Sequence, residues 1–389
     1  MNIHFYYSLV PNSGDIRRIK NIDLEISDFY KEPSVEVLFY GFGERKKIKS
    51  NGKFKVGGEK NKKLYIFQPP KANMLFPIYQ ALVLALLGII YRPQVIVGEM
   101  FFPYKFRKIF RFFNPHTTII ADIHGARVEE LTYINPAVDN ERLKLYETQE
   151  KTTIETADVI ICQSDEMKNY IAAKYVCNTD KIIVYRCGYD TSSFYINKDW
   201  RRETRHNLKV KQNETLFVYS GGLHRWQKME ESLLVFKNYL KTNNDAKLLV
   251  LTGDQNTLKE MLNHSDFKEL IPYIISFSVP FEQVSRYLNA ADIAFLIRDN
   301  HPMNAVASPT KLAEYMACGL PIITSEVARY WVTDEALPYL VFSESADIEI
   351  RIKNALGIKK EYISNYAMSH LSLNIDKANM KETLAKLFV

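Results

Sequence analysis

Ser308-Pro-Thr-Lys-Leu-Ala-Glu-Tyr-Met-Ala-Cys-Gly-Leu-Pro321, followed by the apolar Ile322-Ile323-Thr324, reads as a short helix with both ends marked. Ser308 is a good N-cap, and Pro309 suits the first helical position, where its missing N–H costs nothing. Gly319 supplies a left-handed stop, Pro321 blocks continuation, and Leu320–Thr324 reads as a buried strand. The free N–H groups of Thr310 and Lys311 then point out of a helix N-terminus, a ready site for a phosphate or diphosphate. Glu314 lies one turn further on the same face. A carboxylate there is placed to accept hydrogen bonds from a sugar diol. An anion site beside a diol acceptor is what a nucleotide diphosphate needs. A solvated Lys311–Glu314 pair on a plain capped helix fits the same spacing.

Working outward, short apolar runs alternate with helix-length segments along the whole chain. Ile3–Tyr7, Val35–Phe39, Leu64–Phe67, Val95–Val97, Thr118–Asp122, Val159–Cys162 and Ile182–Tyr185 read as strands in the first half. Leu216–Tyr219, Leu248–Leu251, Ile274–Phe277, Ile293–Ile297, Leu320–Thr324 and Tyr339–Phe342 do so in the second. Near-continuous apolar strands separated by helices imply parallel sheets covered on both faces. Two such sheets in tandem are expected, with ligands bound at the C-terminal edges of the strands. The junction falls in GYDTSSFYINKD, 188–199, where turn formers interrupt the periodicity.

Other stretches invite chemistry. Ser220-Gly221-Gly222 follows a strand, and His224, Arg225 and Lys228 add positive charge beside glycines that let backbone amides approach a phosphate. Asp122-Ile-His124-Gly ends another strand; His124 is either a site residue or a structural histidine, and Asp122 either orients it or caps the strand. Glu129 and Glu130 are adjacent on a helix and make a poor hydrolase pair. Pro11-Asn-Ser-Gly14-Asp reads as a turn after the first strand, without the GK[ST] ending of a P-loop. Tyr104–Phe113 interleaves basic and aromatic residues, which fits an anionic membrane surface, nucleic acid, or aromatics packed inward beside a basic stripe. Residues 41–63, rich in lysine and glycine, read as an exposed loop or hairpin. The apolar run Leu75–Ile90 falls short of about 20 clean apolar residues and reads as a buried helix.

At 389 residues and 47% apolar, the chain can bury two ordinary cores. Its net charge of +6 is mild and favours anionic partners without naming one. Cys162, Cys177, Cys187 and Cys318 lack metal-ligand spacing, so free thiols are expected. The opening MNIHFYYSLV lacks a basic segment and a cleavage site, so no signal peptide is expected.

Arg298, Asn304 and SPTKLAEYMACGLPIITSE (308–326) resemble the donor segment of retaining GT-B glycosyltransferases of family 4. DIHGARVEEL, YSGGLHRWQK, ICQSDEMKNYIAAKY and the Gly-x-Asp-x3-Phe of IVYRCGYDTSSF extend the likeness. The resemblance implies an α/β GT-B fold of two Rossmann-like parallel-sheet domains facing a cleft: 1–188 on the acceptor side, 189–358 binding the nucleotide sugar, and a helical tail, 359–389, crossing back. It implies donor binding by Gly221, Gly222, Arg225, Lys228, Arg298, Asn304, Ser308, Thr310, Lys311 and Glu314. His124, with Asp122, would position the donor sugar, and Gly14 and Arg127 would border the acceptor. Two departures stand out: Val306 occupies the place of a frequent first glutamate, and Gly222 that of a frequent arginine. The implied reaction is metal-independent transfer from a nucleotide-diphosphate sugar with retention, using no cofactor. The implied acceptor is a glycan or lipid-linked molecule of bacterial surface polysaccharide or glycolipid synthesis. The chain is expected in the cytoplasm, with peripheral contact to anionic membrane, and nucleic acid is not expected as a partner. A catalytically silent binding subunit and a sugar-nucleotide epimerase are the alternatives.

Overall fold

The computed structural model describes residues 2–6, 13–32, 34–40, 62–67, 76–100 and 107–388. The chain divides into two compact units, Met1–Cys187 with Asp376–Val389, and Gly188–Ile375. The stretch 359–389 is thus shared: helix Lys360–His370 belongs to the second unit, and helix Leu373–Phe388 contributes its residues from Asp376 onward to the first.

In the first unit the strands are β1 (Asn2–Tyr6), β2 (Ser34–Tyr40), β3 (Lys62–Phe67), β4 (Val95–Glu99), β5 (Thr118–Ile123), β6 (Val159–Cys162) and β7 (Ile182–Val184). They form one sheet in the order β3-β2-β1-β4-β5-β6-β7, each pairing parallel. The central strands β4 and β6 are buried throughout because both sides of the sheet are covered there. Ile96 joins Ile3, Phe5, Leu84 and Phe110 in one layer, while its neighbours Val95 and Val97 join Ile22, Ile26, Met380 and Leu384 in the other. The order reverses direction between β1 and β4, the point where open parallel sheets take ligands.

In the second unit β8 (Thr215–Ser220), β9 (Ala246–Leu251), β10 (Ile274–Phe277), β11 (Ile293–Leu296), β12 (Ile322–Thr324) and β13 (Leu340–Phe342) pair in parallel in the order β10-β9-β8-β11-β12-β13. Again one strand serves two cores: Leu216 and Val218 face one, Phe217 and Tyr219 the other. Phe217 alone meets the rings of Phe236, Tyr239 and Phe295 at centroid distances of 5.2, 4.9 and 5.5 Å. The direction reverses between β8 and β11.

Several local expectations need correction. Gly14 lies in the first turn of helix Ser13–Tyr30, not in a turn; Tyr7 and Pro11 fall outside the described residues. Lys62 and Lys63 open β3, and 41–61 lie outside the described residues. Lys198–Asn207, inside which the expected junction ended, is a helix capped by Asn197, whose side chain accepts from the N–H groups of Asp199 and Trp200. The apolar helix Phe76–Tyr91 is buried along only one face. The four cysteines are unpaired thiols.

Candidate active site

The stretch that opened the reading forms helix Thr310–Ala317. Its C-terminus matches expectation: Gly319 sits at φ +72°, its N–H bonds to the Met316 carbonyl, and that of Leu320 bonds to Tyr315, a Schellman motif. Its N-terminus does not. Pro309, not Ser308, occupies the cap position with φ −69° and ψ 111°, and it supplies no side-chain cap. The cap residue, a proline, has no side-chain acceptor to offer the first N–H groups of this helix. Glu314 is 5% exposed, which excludes a solvated Lys311–Glu314 pair.

Lys311 reaches beneath the loop after β8. Its Nζ donates to Gln227 Oε1 at 3.1 Å and to the Tyr219 hydroxyl at 3.3 Å, and it lies 4.6 Å from the centre of the Tyr219 ring. Gly221 adopts φ +131°, which demands glycine, and a Cβ there would displace the Lys311 ammonium. The loop is fixed on every side. The Gly221 N–H donates to Leu251, the Leu223 N–H to Asp254 Oδ2 at 2.8 Å, the Ser220 N–H to the Tyr315 hydroxyl at 2.9 Å, and the Tyr219 hydroxyl donates to the Gly222 carbonyl. Gly222 could hold a Cβ in ordinary contact, 3.4 Å from Asp254, so it is not forced by space.

Arg298 follows β11 on the other side of the switch point. Ser325 clamps its backbone, accepting its N–H at 3.1 Å and donating to its carbonyl at 2.6 Å. Its Nε is buried without a hydrogen-bond partner among the described residues. Burial, helped by the charge of Arg298 and opposed by Glu314, holds the Lys311 ammonium down at about 7. Burial likewise depresses Arg298. Folding has therefore brought two cations together in a half-buried place where their charges are disfavoured. Such an arrangement is repaid when an anion binds between them.

Other candidates fall differently. Lys228, at φ +49°, pairs with Asp299 at 3.0 Å and Glu231 at 3.6 Å, so its charge is already engaged; the Asp299 hydrogen bond holds its pKa above the ordinary value. Arg225 is exposed in the turn Arg225–Gln227, beside His224 stacked on Trp226 at 4.6 Å. Asn304 is buried; its amide donates to the Asp299 carbonyl, and its own carbonyl accepts from the Trp331 indole. It shapes the loop carrying Arg298. Val306 is buried at the end of the short helix Pro302–Ala305. Ser308 and Thr310 are half-buried at the helix entrance. Tyr219, Gln227 and Tyr315 were not singled out from sequence; an aromatic inside a strand or helix reads as core.

In the first unit, Asp122 ends β5 at 1% exposure, so it reaches no solute. Arg18, from the helix after β1, grips it through Nη2 at 2.6 Å and Nε at 3.1 and 3.2 Å, and donates to the Tyr185 carbonyl. Burial works to raise the Asp122 pKa, but Arg18 and His124 hold it well below the usual carboxylate range. His124 is the part of this cluster that faces outward, its side chain 24% exposed, with Nδ1 3.6 Å from Asp122 Oδ2. Burial lowers its pKa, yet Asp122 outweighs burial and holds the imidazolium at about 9. Asp122 is thus placed to orient the His124 ring and to favour its charged form. Arg127 begins helix Arg127–Ile134, half-exposed, and pairs with Glu130 at 3.2 Å. Glu129 turns instead to Tyr170 and Lys174.

Residues 201–335, within the second unit, match the family model described as Glycosyl transferases group 1. No curated protein matches the chain in sequence. Among solved structures, the Anabaena protein HepE in complex with UDP is similar with TM-score 0.72 at 13% identity, over 99% of this chain and 100% of that one. Sucrose-phosphate synthase from Thermosynechococcus elongatus gives 0.71 at 14% identity, over 100% and 99%. WaaG, a glycosyltransferase involved in lipopolysaccharide biosynthesis, gives 0.67 at 13% identity, over 98% and 99%. At these identities the likeness establishes the fold, which is GT-B.

Proposed function

We propose that this GT-B chain, with its glycosyl transferases group 1 domain, is a retaining glycosyltransferase that takes a sugar from a nucleotide diphosphate. The observation that carries the reading is the Lys311–Arg298 pair at the switch point of the second sheet, two disfavoured cations beside a helix N-terminus. In this reading the diphosphate lies against Lys311, Arg298 and the amides of Thr310 and Gly222, with Arg225 closing from the exposed side. Glu314 accepts from the ribose hydroxyls. As the sugar–phosphate bond loosens, the departing diphosphate gains charge, and preorganised donors stabilise it more strongly than they do the ground state. His124 donates to a sugar hydroxyl, held in orientation by Asp122. A donor phosphate oxygen takes the acceptor's proton on the face the leaving group vacates, so configuration is retained. The positive charge needed by the leaving group comes from these side chains and the helix terminus, without a metal or cofactor.

HepE with UDP and WaaG in lipopolysaccharide biosynthesis support a nucleotide sugar as donor and a glycan or lipid-linked acceptor of surface polysaccharide or glycolipid synthesis. A cytoplasmic site of action, where nucleotide sugars are made, follows from that reading. The test is incubation with UDP- and GDP-sugars, following diphosphate release and the anomer of the freed or transferred sugar by proton NMR. Slow release with the donor's own configuration is expected. Product of opposite configuration would refute retention. Binding without release from any donor would make this a silent binding subunit.

A further inference from the structure

The second sheet has a cleft at the edge opposite the Gly221 loop. Thr215 opens β8, Asp292 precedes β11 and Pro321 precedes β12, and all three line it. Gly221, Arg298 and Ser325 follow the same three strands at the other edge. The six residues of β8 set the two edges about 20 Å apart. The cleft measures about 220 Å³, below the ~300–1,000 Å³ of sites for drug-sized ligands, so its occupant is a small one. Leu356 and Ile358 give it an apolar wall, and Gln212 and Asn213, both exposed, form its rim.

Its charges are unevenly matched. Asp292 accepts from Arg201 at 2.7 Å, from Arg205 at 3.1 Å and from the Leu216 N–H at 2.8 Å. Glu214 accepts the Lys211 N–H at 2.6 Å and lies 3.8 Å from the Lys247 ammonium. Both carboxylates of the cleft therefore have partners already. Lys360 lines it too, and among the described residues its ammonium makes one hydrogen bond, to the Ala291 carbonyl at 2.7 Å, and no ion pair. Burial, helped by the charges of Arg201 and Arg205 and opposed by Asp292, holds that ammonium down at about 8. Lys360 is also the first residue of helix Lys360–His370, and Lys359 at the cap position offers the first N–H groups no side-chain acceptor. An ammonium and a helix start thus meet in one wall, where an anion would satisfy both.

We propose that this cleft is a second binding site, for a small organic phosphate whose phosphate group lies on Lys360 and whose polar remainder lies against Gln212 and Asn213. Phosphate is favoured over carboxylate by what is left to bind it. The planar forks of Arg201 and Arg205, which match a carboxylate, are already taken by Asp292. A point charge beside backbone N–H groups remains, and that suits phosphate. The site shares no residue with the diphosphate site, so the inference stands whether or not the chain transfers sugar.

The test is isothermal calorimetry of the full chain with glycerol 3-phosphate, with glycerol as the unphosphorylated control, repeated in the presence of UDP. Binding of glycerol 3-phosphate and not of glycerol, unchanged by UDP, is expected. Lys360→Met should weaken it by about 10- to 150-fold, the range for losing a hydrogen bond to a charged group. Lys311→Met should leave it within twofold. Methionine at 360 also gives up the bond to Ala291, so a second variant guards against a folding defect. Gln212→Glu with Asn213→Asp is isosteric and exposed, and should weaken binding by about fivefold or more, the effect of one like charge about 4 Å away in water. Absence of binding by the wild type, or affinity that either folded variant leaves unchanged, would overturn the proposal and leave Lys360 as a cap on the C-terminus of helix Phe281–Ala290. So would binding lost on adding UDP or in Lys311→Met, which would place the phosphate in the diphosphate site.

Discussion

Lys311→Met is expected to weaken nucleoside diphosphate binding by about 10- to 150-fold, the range for losing a hydrogen bond to a charged group. The variant should nevertheless remain folded. Burial and Arg298 disfavour the ammonium in the folded chain, so methionine, of similar length, removes a charge that the fold tolerates poorly while keeping the stem against Tyr219. Loss of binding with undiminished thermal stability marks a group retained for its ligand. Gly221→Ala should reach the same binding defect by another route, because its Cβ would occupy the ammonium's place at a φ that alanine resists. Binding within twofold of wild type in both variants would remove Lys311 from the diphosphate site. Because the ammonium sits at about 7 and an anion favours its charged form, affinity should fall as pH rises above 7.

Asp122→Ala should destabilise the first unit by about 3–5 kcal/mol, the range for stranding one member of a buried ion pair. The guanidinium of Arg18 would keep the Tyr185 carbonyl but lose its three contacts to the carboxylate. Urea unfolding of wild type and variant measures this directly, and a change below about 1 kcal/mol would be the surface-pair result instead. The pH dependence carries a second signature. The depressed Asp122 contributes stability above its ordinary 3.8 that is lost as pH falls through its lower folded value. The raised His124 contributes stability below 6.5 that is lost as pH rises through about 9. Wild type should therefore lose stability toward both ends, and the variant should lose neither of these two contributions. The His124 ring in the variant should titrate well below 9 by proton NMR, since burial and Arg18 both lower it once Asp122 is gone.

The strands among the described residues were legible because most carry a run of valine, isoleucine, leucine or phenylalanine, and the central ones, such as β4 and β8, are covered on both faces. The helix Lys198–Asn207 was not, since KDWRRETRHN has no apolar stripe. It is held by arginines: Arg201 and Arg205 donate to the carbonyls of Ala290 and Ala291 and to Asp292. The donor segment was legible in Lys311, Glu314 and the glycines, whose types and spacing carry chemistry. Its supports were not, because Tyr315 and Tyr219 are indistinguishable from core aromatics until their hydroxyls are seen against Ser220 and Gly222. Arg18 was hidden by distance along the chain, its partner lying 104 residues away. Ser308 looked like a cap because the motif fits it; the proline after it took the position. The exposed side of Phe76–Tyr91 was hidden because an all-apolar helix gives no sign of which face stays in solvent.

The central claim is that the start of helix Thr310–Ala317, with Glu314 behind it, holds a nucleoside diphosphate. Isothermal calorimetry of the full chain against UDP, GDP and their common sugar conjugates, repeated on Glu314→Ala, addresses it most directly. The account predicts micromolar binding of one diphosphate by the wild type and its loss in the variant, since a diol would face no acceptor. Absence of binding by any of them, or binding that Glu314→Ala leaves unchanged, would contradict it.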